Sequence, residues 1–469
     1  MDLIAIFVSL GLLMLLAYRG MSVLILAPVM ALLAVLLSGN LSDLLPVYTQ
    51  VFMKAMGGYL IQYFPLFLLG SIFGKLMESS GYALTIANGI TQKLGSQHAL
   101  LAVVLACAIL TYGGVSLFVV AFMMYPIGKS LFERSSISLN LLPGAIALGA
   151  FTFTMTALPG TPSVQNSIPS PFFGTDAFAA PGLGFIASCI MLGFGAVWLN
   201  RQKRLLGQSV KTTPADFSDQ HDSRNQITSI AIKIPFQIAI LPILLMGLSN
   251  LLMAKWFLPH WRPQFLQENT FGISSLSSLT GIWAIIIALT VGILFIYILQ
   301  ALVAKQAAKA NEAINQGSIG SMLPILNTAS EVGYGSVIAS LSGFVLIKEF
   351  VLNISPGNPL ISEAVAVNVL AGITGSASGG MSIALQTLGA DYLAKATALG
   401  ISPELLHRIA VMASGCMDTL PHNGAVITLL GICQLTHREG YRYIAMVTIV
   451  FPLIALAVVI LLASIFGNF

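Results

Sequence analysis

From Leu3 to Phe466 this chain is a succession of apolar runs, and no other feature limits its fold so severely. The runs fall near 3–18, 21–38, 59–78, 139–158, 182–200, 228–253, 279–303, 321–351, 403–435 and 442–466. A helix needs about 17–25 such residues to cross a bilayer. Lipid offers no hydrogen-bond partners, so each run has to satisfy its own backbone, and helices do this. Only 8% of residues are charged and 57% are hydrophobic, whereas a soluble domain carries about 25% charged residues. The sequence therefore predicts an all-α polytopic membrane protein. Its net charge of +4 includes no basic block with interleaved aromatics, which excludes a nucleic-acid partner. Cys107, Cys189, Cys416 and Cys433 stand singly in apolar runs without CxxC spacing and read as small buried hydrophobes. The start Met1-Asp2-Leu3 lacks the positive region of a signal peptide, so Leu3–Ala17 is expected to remain as a first membrane helix.

Two more apolar regions, 99–132 and 359–396, are each a pair of shorter arms around a small-residue centre. The centres are Thr111-Tyr112-Gly113-Gly114-Val115-Ser116 and Thr374-Gly375-Ser376-Ala377-Ser378-Gly379-Gly380. Arms of about 10–14 residues suit re-entrant segments, and both regions read as helical hairpins. Residues 201–227 form the one sustained polar stretch, with Arg201, Lys203, Arg204, Lys211 and Arg224. The excess of Lys and Arg on cytoplasmic loops places this linker inside the cell. It separates a first repeat, 1–200, from a second, 228–469. With five spans in each, the repeats run in opposite orientations and both termini lie outside.

An internal echo supports the division. Ala157-Leu158-Pro159-Gly160-Thr161-Pro162-Ser163-Val164 parallels Thr419-Leu420-Pro421-His422-Asn423-Gly424-Ala425-Val426. The offset is 374 − 111 = 263 between the hairpin centres and 421 − 159 = 262 between the prolines. The expected architecture is thus two inverted repeats, each of about five membrane helices plus a re-entrant hairpin, with broken helices at the midplane. Such breaks in corresponding positions are the best sequence pointer to a secondary transporter's binding site.

The residues at these places carry the chemistry. Thr111, Gly113, Gly114 and Ser116 at one tip, and Thr374, Ser376, Ser378 and Gly379 at the other, combine close backbone approach with hydroxyl groups. Thr161, Ser163, Gln165 and Asn166 follow the first break on an expected extended, proline-stiffened segment. Thr419, His422 and Asn423 occupy the second, where Asn423 is placed to cap a half-helix starting at Gly424 and to leave its positive end for an anion. Ionisable groups at membrane depth are functional candidates, and Asp418, His422 and Glu331 are the candidates for proton coupling. Glu349 and Glu363 fall near expected interfaces and read as solvated. His98, His221, His260, His407 and His437 fall in expected loops without metal-ligand spacing. Gly128-Lys129-Ser130 lacks the rest of a phosphate loop, and Gly182-Leu183-Gly184 opens a membrane helix rather than a strand–turn–helix unit. Neither a cofactor nor a metal is expected.

Ile373–Gly380 and Ser414–Gly424 resemble the gluconate permease family of the ion-transporter superfamily, and the resemblance extends over essentially the whole chain. It implies proton-coupled uptake of a small hydroxy-acid anion, gluconate or 3-hydroxybutyrate-like, across a bacterial inner membrane. It also implies a homodimer in lipid and an elevator-like motion. The segment Leu158–Asn166 is more similar to short-chain hydroxy-acid members. Sodium coupling, a passive channel and a membrane-embedded hydrolase built on Ser376 or Ser378, His422 and Asp418 remain the alternatives.

Overall fold

The computed structural model describes residues 2–19, 21–209, 234–261, 276–421 and 423–469, which form helices and turns with no strand among them. In the first half α1 (Asp2–Tyr18) packs on α2 (Val23–Leu37). A continuous helix from Leu41 to Ser79 follows: α3 (Leu44–Pro46), a π-helical stretch Val47–Phe52, and α4 (Met53–Ser79). After it α5 (Tyr82–Leu94) meets α6 (Ala99–Tyr112) at a bend of 102°. Four residues turn α6 into α7 (Leu117–Arg134). Next come α8 (Leu142–Ala150), α9 (Phe153–Thr156), a non-helical stretch 157–169, α10 (Ser170–Phe173) and α11 (Pro181–Ser209).

The second half holds α12 (Phe236–Leu252), α13 (Leu258–His260), α14 (Leu276–Ile298), α15 (Ala307–Gly320) and α16 (Met322–Ser340). A bend of 97° leads into α17 (Phe344–Leu352), so 321–351 is not one span. Leu341, in extended conformation after α16, and Gly343 allow the turn, and a Cβ at Gly343 would collide with Asp2 and Leu3. Then come α18 (Pro359–Thr374), α19 (Ala377–Ala398), α20 (Pro403–Ser414), a break at 415–423, α21 (Gly424–Ile432), α22 (His437–Ala445) and α23 (Phe451–Phe466). Among the described residues six helices are long and apolar enough to cross a membrane, or eight if each bent pair counts as one span.

Local chemistry explains where these helices start. Asn358 and Ser402 cap α18 and α20 through the amides of Leu360 and Glu404, with a proline in the first turn of each helix. Gly375, at φ 64°, closes α18 in the left-handed region, and Ser376 opens α19 by accepting from Gly379 N. Two helices, α5 and α15, were not anticipated, because residues such as Asn88, Gln92, Lys309 and Glu312 break their apolar runs. The polar stretch from Arg201 begins as helix and continues α11 to Ser209; residues 210–227 lie outside the described residues.

Packing sorts the helices into two bundles. One holds α1, α2, α4, α12, α14, α15 and α16. The other holds α6 to α8, α11 and α18 to α23. The bundles meet where α16 packs on α19, and α10 (against α14, α19 and α20) and α5 (against α6 and α12) bridge them, so the hairpin α18–α19 lies on the seam.

Candidate functional site

The second hairpin and the second break are tied to each other by one side chain. Asn423 accepts from Ala425 N at 2.5 Å and Val426 N at 3.1 Å, capping α21. Its Nδ2 donates to Gly375 O at 2.7 Å and to Asp418 O at 2.6 Å. One buried amide therefore uses both ends to fix the hairpin tip, the break and the half-helix in one arrangement. Asp418 is 7% exposed, and its Oδ1 has no hydrogen-bond partner. His422, the other proton-coupling candidate in this break, lies outside the described residues.

Glu331 reaches the same tip from across the seam. It belongs to α16, is 5% exposed, and its Oε2 has no hydrogen-bond partner. A Cβ added to Gly379 would lie 1.5 Å from that oxygen and 3.0 Å from Ser376 Oγ. Only glycine lets the carboxyl sit against the first turn of α19. The hydroxyls of Ser376 and Ser378 approach each other at 3.5 Å, and Ser378 approaches Thr328 Oγ1 at 3.4 Å. These contacts are long, so Ser378 is weakly held, whereas Ser376 Oγ also accepts from Gly379 N at 3.0 Å. Thr374 is committed, donating to Leu370 O at 2.9 Å.

The first tip and first break meet in the same way, less tightly. Gly114, at φ 77°, would place a Cβ 3.6 Å from Pro162. Tyr112 Oη donates to Pro159 O at 3.0 Å. Thr111 Oγ1 and Thr161 Oγ1 are buried without partners, while Gly113 is closely covered by Ile243. Ser116 precedes α7 without forming a side-chain cap. The stretch after the break is folded into turns rather than extended: Asn166 N donates to Ser163 O and Ser167 N to Val164 O. The cause is Asn166, whose Nδ2 holds Thr161 O at 3.1 Å and Ala177 O at 2.9 Å. Ser163 donates to Met155 O at 2.7 Å, and Thr419 shares a 2.6 Å hydrogen bond with Thr448. Those two hydroxyls are spent within the protein, and Gln165, two residues after Ser163, is half-buried.

The two breaks lie side by side, since a Cβ at Gly415 would touch Thr156. Arg408, on α20 just before the second break, fastens them together. It is fully buried, and its guanidinium donates to Thr156 O, Asn166 Oδ1, Ala177 O and twice to Ala179 O. All five N–H groups are thereby used. The sequence reading had no signal for this residue. Its neighbour His407 is not in a loop but buried in α20, sharing a 2.6 Å hydrogen bond with Thr175 Oγ1. Glu363 is not solvated either: it is 0% exposed in α18 and neither carboxyl oxygen has a hydrogen-bond partner. Pro359 starts that helix so close to Glu363 that the sequence suggested an interface. No group of three or more His, Cys, Asp or Glu side chains able to hold a metal occurs among the described residues.

Hairpin tips docked on interrupted helices, inside a helical bundle with several apolar spans, define a multi-pass membrane transporter. The model of the GntP family permeases matches residues 1–465, and the chain belongs to that family. It is 44% identical over 462 residues to the uncharacterised transporter YxjC of Bacillus subtilis (strain 168), covering 96% of each chain. The YdaH transporter of Alcanivorax borkumensis shares the fold at a TM-score of 0.57 and 14% identity, over 91% of this chain and 90% of that one. Neisseria gonorrhoeae MtrF, described as an antimetabolite efflux pump, overlaps at a TM-score of 0.45 and 12% identity, over 92% and 85%.

Proposed function

We propose that this permease is a secondary active symporter that imports a small hydroxy-carboxylate, gluconate or 3-hydroxybutyrate-like, together with protons across a bacterial inner membrane. It works as a homodimer in which the bundle carrying both hairpins moves, elevator-fashion, against the other, the two repeats being inverted. The observation that supports this most is the shared tip. Asn423 locks hairpin to break from one side, and Glu331 meets the same glycine-serine turn from the opposite bundle. A substrate hydroxyl has Ser376 and Ser378 to bind, and the buried carboxyls Glu331 and Asp418 offer places for the coupled proton.

Hydrolysis lacks this support. Ser376 accepts from Gly379 N, and Ser376 and Ser378 otherwise approach each other and Thr328, while the histidine that reading invokes, His422, lies outside the described residues. One proton with one monoanion moves no net charge, so only the pH gradient drives it, at about 1.4 kcal/mol per unit. A second cation adds about 2.3 kcal/mol per 100 mV. In proteoliposomes, radiolabelled 3-hydroxybutyrate or gluconate should accumulate above equilibrium under an inside-alkaline gradient. Uptake that ignores that gradient and requires sodium overturns proton coupling. Uptake that never exceeds equilibrium points to a passive pore.

A further inference from the structure

We infer that a second polar site, a cavity between α4 and α19, is where the substrate anion first binds, with Lys54 as its counter-charge and Tyr59 and Ser382 as its hydroxyl-binding floor. This inference rests on the carboxylate reading above. The cavity has a volume of about 440 Å³ and is lined by α4 on one side and by Ser382 and Gln386 of α19 on the other, with Phe172 and Val332 closing it. That is within the usual range of about 300–1,000 Å³ for small-molecule sites. It straddles the seam between the two bundles.

Its chemistry is selective. Gln50, Lys54, Gly58 and Gln62 recur every fourth residue along the continuous helix Leu41–Ser79, so they lie on one face of a membrane helix. Lipid penalises the polar side chains of such a face, which belong against water or protein. Lys54 makes no ion pair among the described residues, and no carboxylate lines the cavity. At the floor Tyr59 is 5% and Ser382 3% exposed, and their buried hydroxyls lie near each other with no other hydrogen-bond partner among the described residues. A neighbouring pair of buried hydroxyls with spare hydrogen-bonding capacity, inside a polar cavity with one cation, fits a small hydroxy-monocarboxylate: carboxylate towards Lys54, hydroxyl towards Tyr59 and Ser382. Val332 joins this floor directly to Glu331 and so to the hairpin tip.

Gly58 offers a test that spares the fold, because a Cβ there meets nothing within 4 Å. The full chain, purified in nanodiscs, is titrated calorimetrically with 3-hydroxybutyrate, and with butyrate as the analogue without a hydroxyl. Gly58→Leu should melt at or above the wild-type temperature and lose 3-hydroxybutyrate binding. Lys54→Gln should weaken it about tenfold, as expected for losing one charge-assisted contact, with Lys54→Arg restoring most of the affinity. Tyr59→Phe and Ser382→Ala should each weaken 3-hydroxybutyrate more than butyrate. Wild-type affinity in both Gly58→Leu and Lys54→Gln overturns the inference. If Asn423→Ala is then the variant that loses binding, the transporter reading stands without this cavity. A wild-type protein that binds neither 3-hydroxybutyrate nor gluconate overturns both.

Discussion

Replacing Asn423 by serine separates the two jobs of this side chain. Serine is as good a helix cap as asparagine, so the amides of Ala425 and Val426 keep an acceptor. It is too short to reach Gly375 O, and the bonds of 2.7 and 2.6 Å to Gly375 O and Asp418 O are lost. At about 1 kcal/mol net for each amide–carbonyl hydrogen bond, the docked tip loses about 2 kcal/mol. That corresponds to roughly a thirtyfold fall in the population of the docked state. If substrate binds that state, affinity falls by up to the same factor. Asn423→Ala removes the cap as well, about 1 kcal/mol more, and should lower the melting temperature further without a matching further loss of affinity. Calorimetric titration with 3-hydroxybutyrate and a thermal melt of each variant read the two quantities separately. Wild-type affinity in Asn423→Ser would show that the tip does not depend on this bridge, and the proposed site would have to move elsewhere.

Three further outcomes are expected. Gly379→Ala should lower uptake, since its Cβ displaces the Glu331 carboxyl from the first turn of α19; adding Glu331→Ala should relieve that displacement without restoring proton-driven uptake, and full uptake in the single variant would mean that the contact between Glu331 and the tip is dispensable. Arg408→Lys leaves several buried carbonyls unpaired at about 1–3 kcal/mol each, so the protein should express poorly or melt at much lower temperature; an unchanged melt would mean the guanidinium network contributes little. Glu363→Met exchanges a buried acid without partners for a side chain that needs none, and should raise stability by about 1–3 kcal/mol on mutational scales; a lower melting temperature would reveal a partner for the carboxyl.

How far the sequence could be read depended on contrast. The second break was legible because acid, proline, asparagine and glycine stand out within apolar residues, and Asn423 does cap α21. The hairpin tips were legible for the same reason. What was missed lacked contrast or depended on distance. The stripe Gln50–Gln62 precedes or overlaps the start of an apolar run taken to begin at 59, so its helical face went unnoticed. Helices α5 and α15 are too polar to register as spans. Arg408 is one cation in an ordinary helix start, and nothing local announces that it reaches residues more than two hundred positions earlier. Ser163 and Thr419 looked available in sequence, yet Met155 O and Thr448 occupy them.

Arg408 also has an electrical consequence. Its guanidinium belongs to the second half of the chain but is anchored on carbonyls of the first, so in the proposed elevator motion the two breaks travel together. Any inward or outward displacement of the pair carries a buried positive charge with it. Moving one elementary charge through the whole membrane field involves about 2.3 kcal/mol per 100 mV. The return of the empty carrier would then register as a transient current to the extent that the Arg408 charge is not balanced by Glu404 and Asp176, which lie near it, or by ionised Asp418.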